Sequence, residues 1–92
     1  MTGAIFAFSR QGCRTARNIM AACSDVTWQS YTMERFGECD FAPITPKCYG
    51  ESFSSAEALV FVGSCGIAVR KIAPYVHDKR TDPAVVCVDE LG

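Results

Sequence analysis

Three unbroken apolar runs constrain the fold of this chain more than any other feature. They comprise Gly3–Phe8, Ala58–Gly63 and Ala84–Val88. Runs of this length without polar alternation are typical of strands buried on both faces of a parallel sheet. We therefore predict a core of buried parallel strands, with helices covering the sheet.

Helical patterns separate these runs. Along Gly12–Cys23 the apolar positions fall at i, i+3, i+4 and i+7, and Ser9 stands where it can cap the helix. The apolar face consists of Ala16, Ile19, Met20 and Cys23, whereas the opposite side carries Arg10, Arg14 and Arg17. A second helix is predicted over Ile67–Val76, ended or kinked by Pro74. Val26–Thr32 alternates in polarity and predicts a strand nearer the sheet edge.

The fold class that follows is α/β. Strands alternating with helices predict a small three-layer, flavodoxin-like half, with a mainly parallel sheet of about four strands. Residues Met33–Glu57, with their prolines and glycines, predict a long connection containing one short helical turn. At 92 residues the chain is expected to form a single domain spanning residues 1–92.

Composition argues against several classes of partner. The formal net charge of −1 gives no overall attraction to nucleic acid or to an anionic membrane. The apolar runs are too short to cross a bilayer, and no basic segment precedes the first run as in a signal peptide. We expect a cytoplasmic protein that binds neither nucleic acid nor membrane.

Six cysteines and one histidine do not suggest a metal site. No Cys-x-x-Cys pair is present, so we expect no metal ligands and six reduced thiols. Three of the cysteines lie in or beside apolar segments, where a thiol is expected to pack as a small hydrophobe: Cys23, Cys65 and Cys87.

The last third of the chain carries a specific pattern. Gly63-x-x-Gly66-Ile67-Ala68-Val69-Arg70-x-Ile72-Ala73-Pro74 is followed by Asp78-Lys79-Arg80-Thr81-Asp82-Pro83-Ala84-Val85-Val86 and by Val88-Asp89-Glu90-x-Gly92. This combination closely resembles the N-terminal region of the cobalamin biosynthesis protein G family. The match is dense over Ala58–Gly92 and weaker over Gly3–Cys23, where a strand-turn-helix opening with Gly12 is shared.

The resemblance implies a place in anaerobic cobalamin biosynthesis. Family members are cobalt-precorrin-5A hydrolases, which open a δ-lactone and release acetaldehyde to give cobalt-precorrin-5B. They usually continue beyond the position of Gly92 with a further strand, Ser-Gly-His and Gly-Gly-Ala-Asn sequences and a second domain. We therefore expect the N-terminal segment of a longer hydrolase, inactive by itself. His77 stands where the family more often has other polar residues, so it is given no catalytic role.

The resemblance also implies partners: the cobalt-precorrin tetrapyrrole, and either the protein's own C-terminal domain or other corrin-pathway enzymes. No separate cofactor is expected, because cobalt belongs to the substrate. Such a substrate carries many carboxylates, which cations and backbone N–H groups can bind.

Candidate site residues follow the predicted strands, because open α/β sheets bind ligands beyond the carboxyl ends of their strands. Asp89 and Glu90 are candidate catalytic groups, with Glu90 as a possible general base. The candidate substrate-binding residues are Gly63, Ser64, Cys65, Gly66, Arg70, Lys79 and Arg80. Structural alternatives stay open: a tight turn without a ligand at Gly63–Gly66, a solvated end to the strand, a packed Cys65, and a solvated basic face.

Two other functions remain open from the residues alone. The chain could be a non-catalytic docking domain whose charged loop contacts another enzyme domain. It could instead be a flavodoxin-like module that binds a small phosphate-bearing anion at Gly63–Gly66.

Overall fold

The computed structural model describes residues 1–33, 41–45, 47–63 and 83–89. Five strands and two helices lie within these ranges. In chain order they are β1 (Thr2–Ala7), α1 (Arg10–Ala22), β2 (Thr27–Thr32), β3 (Ala42–Pro43), α2 (Cys48–Ser55), β4 (Ala58–Val62) and β5 (Ala84–Val88).

The strands form one parallel sheet in the order β3-β2-β1-β4-β5. From β1 the chain moves outward to β2 and then β3, and it returns through α2 to place β4 on the other side of β1. The predicted α/β class and parallel sheet are confirmed. The sheet has five strands rather than about four, because the two-residue β3 lies in the stretch predicted to be irregular.

Alternate residues of the two central strands divide the core into two clusters. On the α2 face, Phe6 and Phe61 pack with Tyr49 and Phe53. On the α1 face, the buried cluster consists of Ile5, Ala7, Cys13, Ala16, Phe41, Val60 and Val62. This confirms the prediction that the first two apolar runs are strands buried on both faces, since Ile5, Phe6 and Phe61 are fully buried.

Helix α1 begins as predicted. Ser9 has an extended backbone, and its Oγ accepts a hydrogen bond from the N–H of Gly12 at 2.9 Å. Its buried residues lie in the first two turns: Gly12, Cys13, Thr15 and Ala16. Ile19 and Met20 are only partly buried. Both pack against the same cluster as Ala16, which confirms most of the predicted apolar face, whereas Cys23 at its end is exposed.

Helix α2 corrects the prediction of a single helical turn within Met33–Glu57. Its buried residues are Cys48, Tyr49, Ser52 and Phe53, which fall at i, i+1, i+4 and i+5 and so share one helical face. Glycine and serines within this segment have weak helix propensity, so its composition resembles a loop. The helix forms because Tyr49 and Phe53 pack on the sheet.

Strand β5 forms where predicted but is not buried. Val85 is 39% exposed and Val86 is 47% exposed. The strand pairs with β4 on one side and ends the described sheet on the other. The expectation for Cys23 and Cys87 is also wrong, because both are exposed, whereas Cys13 and Cys48 are buried. Apolar composition signals a strand but does not reveal its depth in the sheet.

Candidate functional site

The carboxyl ends of β1 and β4 lie side by side at the centre of the sheet, with Ala7 in register with Val62. Connections from these two strands lead to opposite sides, which makes their junction a topological switch point. Open α/β sheets bind their ligands in the crevice at such a junction. The junction between β1 and β4 is therefore the candidate functional site.

Gly63 follows β4 directly and is hydrogen-bonded to the last residue of β5. Its φ angle of 128° lies in a region that residues with a Cβ rarely adopt. Its N–H donates a hydrogen bond to the carbonyl oxygen of Val88 at 2.8 Å. Asp89 follows Val88 directly, so two of the residues predicted from the sequence, Gly63 and Asp89, lie at the same edge of the sheet.

The other predicted site residues lie outside the described residues. These are Ser64, Cys65, Gly66, Arg70, Lys79, Arg80 and Glu90, and the predicted helix Ile67–Val76 and His77 lie there as well. Their roles stay predictions.

The first turn of α1 is the part of this edge that the sequence reasoning missed. A Cβ on Gly12 would stand 3.6 Å from the carbonyl oxygen of Val62 and 3.0 Å from the Oγ of Ser9. The helix therefore starts in close contact with the end of β4. Sequence reasoning gave Ser9 and Gly12 only a capping and turning role. The position of Ser9 directly after the first buried strand, where switch-point ligands bind, was the signal that could have found them.

A buried polar network stabilises this edge of the sheet. The Cys13 thiol donates to the Thr32 hydroxyl at 3.2 Å, and that hydroxyl donates to the Ala7 carbonyl at 2.9 Å. Cys13 is fully buried and Thr32 is 2% exposed. Because hydrogen bonds in a buried setting are costly to leave unmade, the network holds the ends of β1 and β2 and the start of α1 in one arrangement.

Among the described residues, the titratable groups with shifted pKa values lie on the α2 face. Burial is the main cause that raises the pKa of the Cys48 thiol, which disfavours the nucleophilic thiolate. Burial also raises the pKa of Tyr49 to about 12. Within the described ranges, no three His, Cys, Asp or Glu side chains cluster as metal ligands would. Among those same residues, no helix is long and apolar enough to cross a membrane.

Relatives of known sequence share nearly the whole chain. It is 38% identical to the cobalt-precorrin-5A hydrolase of Salmonella typhimurium, over 97% of this chain and 25% of that protein. It is 34% identical to the cobalt-precorrin-5A hydrolase of Priestia megaterium, again over 97% of this chain and 25% of that protein. The chain thus spans about a quarter of the length of these curated relatives.

A solved structure shares the fold. The crystal structure of a cobalamin biosynthesis protein G homologue from Sulfolobus solfataricus superposes with a TM-score of 0.65. The match covers 97% of this chain and 26% of that one, at 21% sequence identity. The family model described as cobalamin synthesis G N-terminal matches residues 47–92, half of the chain. This chain therefore belongs to the cobalamin synthesis G N-terminal family.

Proposed function

We propose that this chain is the N-terminal part of a cobalt-precorrin-5A hydrolase acting in anaerobic cobalamin biosynthesis. The observation that carries the proposal is the 38% identity to the Salmonella typhimurium cobalt-precorrin-5A hydrolase, which extends over 97% of this chain. The complete enzyme would open the δ-lactone of cobalt-precorrin-5A and release acetaldehyde to give cobalt-precorrin-5B.

The role proposed for this segment is to hold part of the substrate at the carboxyl edge of the sheet. Lactone opening needs an activated water, a stabilised oxyanion and a proton for the leaving alkoxide. Asp89 brings a carboxylate to the edge of the sheet where Gly63 follows β4, and Glu90 comes next in the sequence. One of these carboxylates would position or activate the water. The remaining groups would come from the rest of the enzyme.

The cofactor and location follow from the same proposal. Cobalt would enter with the tetrapyrrole, so the segment would need no cofactor of its own. The enzyme would work in the cytoplasm, in contact with its own C-terminal domain or other corrin-pathway enzymes.

A chimaeric enzyme tests the proposal. In the Salmonella typhimurium relative, the matching N-terminal quarter would be replaced by this chain, and the chimaera would be expressed in a strain that lacks the native gene. We expect cobalamin-dependent growth to be restored, and purified chimaera to release acetaldehyde from cobalt-precorrin-5A. The 92-residue chain alone should release none.

A fold-disrupting variant provides the control. Ile5 is fully buried on the face of β1 that packs against α1, so Ile5→Asp in the chimaera should abolish growth. If the chimaera accumulates as folded protein yet fails both to restore growth and to release acetaldehyde, the assignment of this segment to that enzyme is wrong.

A further inference from the structure

Three arginines form a stripe along α1. Arg10, Arg14 and Arg17 fall at i, i+4 and i+7, which places them on one helical face. Arg10 and Arg14 are exposed and Arg17 is half-buried. At 1.5 Å per residue, the stripe runs about 10 Å down the helix from the carboxyl edge of the sheet. The helix contains no acidic residue, although the chain as a whole has a net charge of −1.

A neutral group orients the exposed guanidinium group of Arg14. Arg14 donates to the side-chain oxygen of Gln11 at 3.1 Å. The Arg17 guanidinium lies 5.1 Å from the centre of the Phe41 ring, which is itself buried. The contact with Gln11 does not neutralise the charge of Arg14. A guanidinium held by neutral neighbours keeps its capacity for charge-assisted hydrogen bonds to a carboxylate.

The start of the stripe, at Arg10, opposes the electrostatics of the helix. Acidic side chains are favoured in the first turn, where the helix dipole is positive, and cations are disfavoured there. Helix α1 has no acid in its first turn and begins at Arg10. Arg10 therefore lies where the helix dipole disfavours a cation, and a polyanionic ligand would relieve that repulsion.

We propose that Arg10 and Arg14, flanked by Arg17, form a carboxylate-binding surface for the tetrapyrrole substrate. This inference rests on the proposed function, which supplies a ligand with many carboxylates at the ring periphery. The guanidinium fork matches a carboxylate with two parallel N–H groups, which an ammonium group does not offer. The stripe starts beside the switch point, so a ring bound there would bring carboxylates within reach of the helix.

Two corrinoids that differ in their carboxylates test the proposal. Dicyanocobyrinic acid presents free carboxylates around the corrin ring, and dicyanocobinamide presents amides in the same positions. Binding of each to the 92-residue chain would be followed by equilibrium dialysis, using the visible absorbance of the corrin. We expect the chain to bind the acid more tightly than the amide, with the difference shrinking as salt is added.

Variants then locate the surface. Each exposed arginine should contribute about threefold to the affinity for the acid, so Arg10→Gln combined with Arg14→Gln should weaken it about tenfold. Lys47→Gln removes an exposed cation from the α2 side of the sheet and should leave the affinity unchanged. The double variant should be folded by circular dichroism, with a urea midpoint close to that of the parent chain, because both arginines are exposed and Arg10 lies in the first turn, where a cation is disfavoured.

Two results would overturn the proposal in distinguishable ways. If the double variant binds the acid as tightly as the parent chain, the arginine stripe is not the surface, although corrinoid binding and the proposed function stand. If the parent chain binds neither corrinoid, or both equally, it has no carboxylate-binding surface of this kind. The chimaera experiment tests the proposed function independently of this result.

Discussion

Replacement of Phe6 by leucine should destabilise this domain more than the loss of apolar volume explains. Phe6 is fully buried at the centre of the α2-face cluster. Its ring stacks on those of Tyr31 and Tyr49, each at 5.1 Å between centroids, and on Phe61 at 4.9 Å. The interplanar angles are 13°, 23° and 13°, so all three pairs are near-parallel stacks.

The size of the effect follows from these contacts. Each aromatic pair contributes roughly 0.5–1.5 kcal/mol beyond the burial of its area. Three pairs that share one ring are not additive, so we expect Phe6→Leu to cost about 2–3 kcal/mol of unfolding free energy. With a urea slope of about 1–2 kcal/mol per molar for a domain of this size, the midpoint should fall by about 1–3 M.

Phe41→Leu provides a matched control. Phe41 is 6% exposed, and no ring pair joins it to another described aromatic residue. The same substitution there removes the same atoms and breaks no stack among the described rings. It also loses the contact with the Arg17 guanidinium, so we expect a cost of about 1–1.5 kcal/mol. Fluorescence of Trp28, the single tryptophan, would report unfolding of both variants. If Phe6→Leu costs no more than Phe41→Leu, burial alone explains the core, and the reasoning from ring stacking is refuted.

Four further predictions address the carboxyl edge, the core and the thiols. Ser9→Ala should lower the unfolding free energy by about 1 kcal/mol because the N–H of Gly12 loses its cap, whereas Ser9→Asp should not; urea titration of both variants checks this. Gly63→Ala should cost about 1–3 kcal/mol because its φ of 128° strains any residue with a Cβ, and an unchanged urea midpoint would contradict that strain. Burial raises the pKa of Tyr49 to about 12 from 10, so its contribution to stability is complete below pH 10 and is lost as the pH rises through 12. Tyr49→Phe should flatten that alkaline loss in urea titrations at several pH values. All six cysteines should react in a thiol titration under denaturing, non-reducing conditions; a count of four or fewer would show a disulfide.

Local patterns predicted much of the fold. The segments of β1 and β4 contain unbroken apolar runs. A strand in the middle of a parallel sheet is buried on both faces, so all its buried side chains need to be apolar. Ser9 was predicted as a cap because capping acts over three residues and is therefore visible in sequence. The dense pattern over Ala58–Gly92 led to the family that the comparisons then showed.

The candidate site was predicted only in part. Gly63 and Asp89 were chosen because each follows an apolar run, and the structure places both at one edge of the sheet. The first turn of α1 was missed because the strand order that brings it beside β4 does not follow from the order along the chain. The chemical roles of Gly63 and Asp89 stay predictions.

By itself the sequence determined that the segments of β1, β2, β4 and β5 are extended and that α1 is helical, because those preferences depend on neighbours a few residues away. Tertiary structure alone decided which strands, helices and residues are neighbours. The exposure of β5 depends on its place at the end of the described sheet, and α2 forms because Tyr49 and Phe53 pack against it. The hydroxyl of Thr32 meets Cys13, 19 residues away, and Ala7, 25 residues away. The burial of a residue depends on the elements packed around it, and contacts between residues so far apart in sequence form only when the sheet has assembled.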